Sequence, residues 1–217
     1  MGKALHIPGI ILLFSSFVLL LLVSVSLPYL DVFAFVRVHV TEGSVTVGSN
    51  ATAVTELKYG VWADCWYDAS GDRTCSPLGY AYNTSLYSDG GKSSVDIGSS
   101  WTRGLTIHPV AAGVTLIAVL LSLSSHTACV LLAAITSGVA GTTALVAFAV
   151  DIALLAYLKG QVGRLGGAAA SVDPAPGFWM TLAALVALFV AAGGMYLGRR
   201  RDRMAGATSY PMETAKA

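Results

Sequence analysis

Charge is scarce in this chain of 217 residues: Asp, Glu, Lys and Arg make up 12%, about half the usual share in a globular domain. A water-facing surface needs more, so something other than water must cover this one. The thirteen basic and twelve acidic side chains nearly cancel to a formal +1, which excludes an electrostatically driven nucleic-acid binder. Three cysteines are too few for a disulfide-dense toxin scaffold. The sequence also lacks a nucleophile motif, a phosphate-cradling glycine loop and a His/Cys/carboxylate cluster at metal spacing, so neither enzyme activity nor a cofactor is expected. What it has in abundance is apolar. Hydrophobic residues reach 55% and mean hydropathy is +0.69, too high for disorder. The chain reads as a membrane protein.

Ile7 to Leu27 carries no charge over 21 residues, roughly 31 Å as helix and enough for the hydrocarbon core. Pro28 closes it. Lys3 and Ser24-Val25-Ser26 also fit a cleaved signal peptide, but the apolar stretch exceeds the roughly 7–15 residues such peptides use. A retained helix is the preferred reading. From Leu105 to Val150 no Asp, Glu, Lys or Arg interrupts the apolar run. That is too long for one crossing, and polar Ser122–Thr127 reads as a tight turn between two. A fourth run, Phe178 to Leu197, opens on Phe178-Trp179 as an aromatic belt and stops at a headgroup anchor of Arg199, Arg200, Arg201 and Arg203. The expected organisation is an N-terminus over 1–6, helices over 7–28, 108–125, 126–158 and 177–198, a long loop over 29–107, a short one over 159–176 and a tail over 199–217.

Basic residues set the orientation. Lys3 and the four tail arginines outnumber Lys159 and Arg164 of the short loop, so both termini are expected in the cytoplasm and Asp31–Ile107 outside. Two sequons, at Asn50 and Asn83, fall in that long loop. So do Cys65 and Cys75, in the one compartment where a disulfide persists.

Val32–Val40 alternates as a strand, Glu42-Gly43-Ser44 turns, and Val45–Val47 can pair back. Leu57–Tyr67 reads as a second strand, Asp68–Asp72 as a hairpin turn, and Arg73–Cys75 returns along it, bringing Cys75 near Cys65. A bridge closing so short a loop gains about 2–3 kcal/mol; two free thiols are the alternative. Gly166–Ala170 reads as flexible loop.

Gly60-Val61-Trp62 followed by Cys65 and Cys75 resembles the outer-loop pattern of claudin-like tetraspan proteins. His108-Pro109-Val110 through Ala118, Ala147–Leu154 with Asp151 inside it, and Cys65–Pro77 are similar to the fungal PalI family, over residues 1 to about 200. The resemblance implies an all-α membrane bundle of four transmembrane helices, claudin-like, with a small extracellular β-sheet. It further implies a plasma-membrane protein of the ambient-pH response that works beside a separate polytopic pH sensor and helps it reach or stay at the cell surface. Related tetraspans organise static membrane domains and influence cell-wall integrity. The tail of about 19 residues departs from the longer polar tails common in the family, so tail-mediated recruitment is not expected.

Several residues are candidates for more than packing. Asp151 stands in an apolar run, where a carboxylate costs at least ~2.5–3.5 kcal/mol at mid-membrane. Counting from a turn near Ser125 puts it roughly 39 Å up the third helix, above a ~30 Å core, where Arg103 or Lys58 would pair with it. His108 either leads into the second span or, with His39, titrates with external pH. Ala133, Ser137 and Gly141 on the third span, and Gly194 and Gly198 on the fourth, permit close helix approach, within the bundle or with a partner helix. Trp62 and Trp66 are expected to anchor the sheet to the bundle, Cys129 to pack, and the arginine cluster to favour anionic lipid. Expected partners are membrane lipids and a polytopic pH sensor or a second copy of the chain, with no nucleic acid. The alternative function is a structural tetraspan organising plasma-membrane domains; a small pore is disfavoured because no polar run lines a path.

Overall fold

A computed structural model describes residues 3–48, 53–88, 92–124, 127–166 and 168–207. Four helical segments are long and apolar enough to cross a membrane. They are α1 (Lys3–Ser24), the run formed by α2 (Ser99–Thr102) and α3 (Ile107–Ser122) through a 3-10 turn over Arg103–Thr106, α4 (Thr127–Val162) and α5 (Pro176–Ala207). They close into a ring in which α1 packs on α3 and α5, and α4 packs on the same two helices. Small residues fill the interior, among them Ala111, Ala118, Ala140, Ala144, Ala184 and Ala191. Large ones such as Ile11, Phe14, Leu120, Ile135 and Val186 point outward. Alanine lets backbones approach, and a bulky apolar exterior is the kind that suits lipid. The buried hydroxyls of Ser16, Thr115 and Thr181 donate to carbonyls one turn back in their own helices, so they cost the apolar interior little.

The small sheet expected from sequence is a correction. Among the described residues, eight strands form one antiparallel sheet: β1 (Val36–Glu42), β2 (Val45–Val47), β3 (Ala53–Tyr59), β4 (Asp64–Asp68), β5 (Arg73–Cys75), β6 (Thr84–Ser88), β7 (Ser93–Ile97) and β8 (Ala169–Pro174). β8 comes from the short second loop, where Ala169 and Ala170 were expected to be flexible; it pairs along β1 instead. The strand expected over Val32–Val40 starts only at Val36, after a 3-10 turn at Asp31–Phe33. Nor does β2 pair back on β1. Gly43 adopts φ 80°, and the chain runs on beside β3, so β1 and β2 share one edge of β3 while β2 hands on to β6. The single strand expected over Leu57–Tyr67 is two, β3 and β4, reversed through Gly60–Ala63. The hairpin over Asp68–Asp72 forms, with Gly71 at φ 87° and the Asp68 carboxylate accepting from the Ser70 and Asp72 amides. It sets Cys65 directly opposite Cys75, and the two are disulfide-bonded.

Helix α4 ties the layers together. Its 36 residues span about 54 Å, well beyond a ~30 Å hydrocarbon core, and it continues past the boundary expected at residue 158. Leu154, Leu158 and Val162 on its upper turns are buried with Phe35, Leu57 and Val172 of the sheet region. The sheet therefore has no separate core; it shares one with the helix ends.

Candidate functional site

The turn Gly60-Val61-Trp62-Ala63 fastens the sheet to α1. The Trp62 indole N–H donates to the Ser24 carbonyl at 2.7 Å, and the Val61 amide donates to Ser26 Oγ at 3.0 Å. Tyr82 closes the turn from the other side, its hydroxyl donating to the Gly60 carbonyl at 2.7 Å. Gly60 is required by contact: a Cβ there would lie 2.5 Å from Leu27 Cβ and 2.9 Å from the Leu27 amide nitrogen. Trp66, half-buried, packs against the sheet core.

Below this turn the 3-10 segment presses onto α4. A Cβ on Gly104 would stand 2.7 Å from Val150 Cγ1, and this closeness brings the first turn of α3 against the residue after Val150. His108 and Asp151 meet there, both fully buried, with Nε2 3.2 Å from Oδ2. Asp151 thus pairs with neither Arg103 nor Lys58. Arg103 lies over the Tyr80 ring and Lys58 pairs with Asp31 at 3.1 Å. Pro109 follows His108 in the first helical turn, where a missing amide hydrogen costs nothing. The Phe35 ring packs 4.5 Å from the imidazole, centroid to centroid.

Hydrogen-bond direction fixes the proton count of this pair. His108 Nδ1 lies 2.8 Å from the Leu105 carbonyl, which can only accept, so Nδ1 carries hydrogen. Nε2 and Oδ2 then need one proton between them, on either atom, because two lone pairs facing each other would repel. The unit is an imidazolium–carboxylate or an imidazole–carboxylic acid pair, neutral overall in both forms. That neutrality makes it affordable at full burial. Asp151 Oδ1 has no hydrogen-bond partner among the described residues. His39 sits apart from this unit, partly exposed on β1 and 3.9 Å from Glu56.

Two polar clusters on the sheet were not legible in sequence. On one face, Asp31 takes hydrogen bonds from Tyr67 and Lys58, and Glu56 pairs with Arg37 Nε at 2.9 Å without the alignment of a hydrogen bond. Burial opposes ionisation of Asp31, but the Tyr67 and Lys58 donors outweigh it and hold its carboxyl below the usual range. On the other, Asp64 is buried beside the disulfide and accepts from Thr84 Oγ1 at 2.9 Å, while its amide donates to Ser76 Oγ. Burial pushes the Asp64 carboxyl up despite these hydrogen bonds, and pushes the Tyr59 and Tyr82 hydroxyls up as well. A lone acid flanking a cysteine carries no sequence signal of burial.

The remaining candidates are spread through the fold. Ala133, Ser137 and Gly141 are buried on α4, and Gly141 faces the Phe189 ring of α5. Gly198 is buried, whereas a Cβ on Gly194 would meet no atom of the described residues within 4 Å; among them, Gly194 is not a close-approach site. Of the expected belt, Trp179 faces outward but Phe178 is buried against Phe148. Asn83 is exposed at the start of β6, while Asn50 lies outside the described residues, as do residues 125–126 of the expected interhelical turn. Arg199, Arg200, Arg201 and Arg203 fall on the last turns of α5, with Arg200 exposed. Cys129, half-buried near the start of α4, is a free thiol.

A profile of the SUR7/PalI family matches residues 5–191, taking in the first three spans, most of the fourth, the disulfide and the buried pair. The chain belongs to the SUR7/PalI family. With four apolar helices, this SUR7/PalI member is a multi-pass membrane protein. It is also similar to the pH-response regulator protein palI/prr-5 of Neurospora crassa, 32% identical over 123 residues. That match covers 55% of this chain and 15% of the relative's length.

Proposed function

We propose that this chain is a non-enzymatic plasma-membrane tetraspan that acts in the ambient-pH response as an auxiliary subunit of a polytopic pH sensor, aiding its delivery to or stability at the surface. The observation that carries the pH link is the similarity to a pH-response regulator. The geometry adds a reason for an accessory role. Because the sheet shares its core with the helix ends, lipid-facing flank and outer surface are packed together, a reason to expect that the chain could hold a partner's spans and its outer loops at once. The Cys65–Cys75 disulfide supports an outward-facing sheet, and the basic ends support cytoplasmic termini.

Detergent pull-down of the tagged chain with mass spectrometry tests this. A larger polytopic protein should co-purify in fixed ratio, and its surface level should fall when the chain is deleted. Recovery of the chain alone, in immobile membrane clusters, would overturn the reading in favour of a structural tetraspan that organises membrane domains. The open flank of α5 at Gly194 favours that second reading, since lateral self-association could use it.

A further inference from the structure

The loop from Pro77 to Tyr80 belongs to the outer sheet by sequence, yet two contacts bring it down to the helix ends. The Gly79 amide donates to the Trp62 carbonyl at 2.9 Å, and the Trp62 indole is itself bonded to Ser24 on the last turn of α1. The Tyr80 ring lies under the Arg103 guanidinium, 5.9 Å from its centroid, and Arg103 opens the 3-10 turn that leads into α3. The loop thus bridges the upper ends of α1 and α3. At that level its apolar side chains point away from the protein: Leu78 is 59% and Tyr80 60% exposed.

Further round the ring, Tyr29 follows α1, Trp101 precedes α3 and Trp179 lies in the first turns of α5, all exposed. Arg103 is exposed too and has no acidic partner among the described residues. A row of outward aromatic and aliphatic groups beside an unpaired cation, at the height where spans end, has the chemistry of a headgroup boundary. In water the same row would be an unexplained apolar patch.

We propose that Pro77–Tyr80 is a membrane-seating loop. Leu78 and Tyr80 enter the outer leaflet between α1 and α3, and Arg103 meets a lipid phosphate beside the Tyr80 ring. The loop's irregular backbone is tolerable at this depth because the headgroup zone still offers hydrogen-bond partners, unlike the hydrocarbon core. The sheet then rests on lipid as well as on the helix ends, so its tilt is fixed from both sides.

The test uses the full-length chain in phosphatidylcholine nanodiscs, with p-benzoylphenylalanine replacing Leu78, Ile117 on the outward face of α3, or Ser70 at the exposed hairpin tip. Intact mass after irradiation reads the adducts, and a retained Cys65–Cys75 bond in each variant reports that the outer domain has folded. Phospholipid adducts are expected at position 78 as at position 117, and none at position 70. A position-78 variant that is folded but behaves like position 70 would overturn the proposal. So would adducts to a second polypeptide in place of lipid.

Discussion

The indole of Trp62 and the carbonyl of Ser24 are hydrogen-bonded at 2.7 Å across 38 residues of sequence, and this contact joins the sheet to the end of the first span. Replacing Trp62 with Phe keeps most of the apolar contact and removes the donor. The loss should be about 1 kcal/mol, read as faster amide exchange at residues 59–63 with little change inside the helices. Gly60→Ala at the same turn should be far worse. Its methyl would fall on Leu27 backbone and side chain together, so surface expression should collapse; normal expression of G60A would contradict the packing described.

The His108–Asp151 unit predicts an asymmetric response to substitution. Asp151→Asn can donate its amide hydrogen to a neutral imidazole at Nε2 and keep Nδ1 bonded to Leu105, so it should be mild. His108→Ala leaves a buried carboxylate unpaired, with an expected loss of about 3–5 kcal/mol. His108→Ala combined with Asp151→Leu should recover much of that. Thermal melts of the three purified variants in detergent check the order, and equal destabilisation by D151N and H108A would rule out the shared-proton arrangement.

Much of this architecture is legible in the sequence, for physical reasons that differ by element. Crossing lipid demands a length of uncharged helix, and that demand leaves an uninterrupted run from Ile7 and another from Phe178. The Asp68–Asp72 turn was visible because Asp and Gly bend a chain by local chemistry. β8 was not, since Ala169-Ala170-Ser171 has no strand signature and is extended only because β1 offers it an edge. The reversal at Gly60 was hidden inside what looked like one continuous aromatic strand. His108 and Asp151 were each singled out alone. Their pairing across 43 residues depends on Gly104 letting its turn press against Val150, a packing fact that no periodicity carries.

Two glycines flagged by the same small-residue spacing should behave oppositely. Gly141 faces the Phe189 ring, with 3.3 Å from a built Cβ to the nearest ring carbon, so Gly141→Leu should force α4 and α5 apart and lower the melting temperature. Gly194→Leu has open space around it and should leave the isolated chain as stable as the parent. If G194L instead abolishes a co-purifying partner while the chain still folds, the free flank of α5 is where that partner sits. Equal melts for G141L and the parent would refute the α4–α5 contact.

Asp31 and Asp64 should give the sheet a stability maximum in mild acid. The Asp64 carboxyl is raised in the fold above its ordinary 3.8, chiefly by burial, so the folded state binds that proton more tightly than the unfolded one. Its contribution is complete below 3.8 and is lost as pH rises through the raised value. The Asp31 carboxyl runs the other way: burial raises it, but its Tyr67 and Lys58 partners win and lower it. Its contribution is present above 3.8 and is lost as pH falls through the lowered value. Amide exchange of the sheet across a pH series, corrected for intrinsic rates, reads both limbs. Asp64→Asn keeps an acceptor for Thr84 and should flatten the limb toward neutral pH; Asp31→Asn should flatten the acidic one. An Asp64→Asn protein whose protection still declines toward neutral pH as the parent's does would show that this carboxyl is not the group responsible.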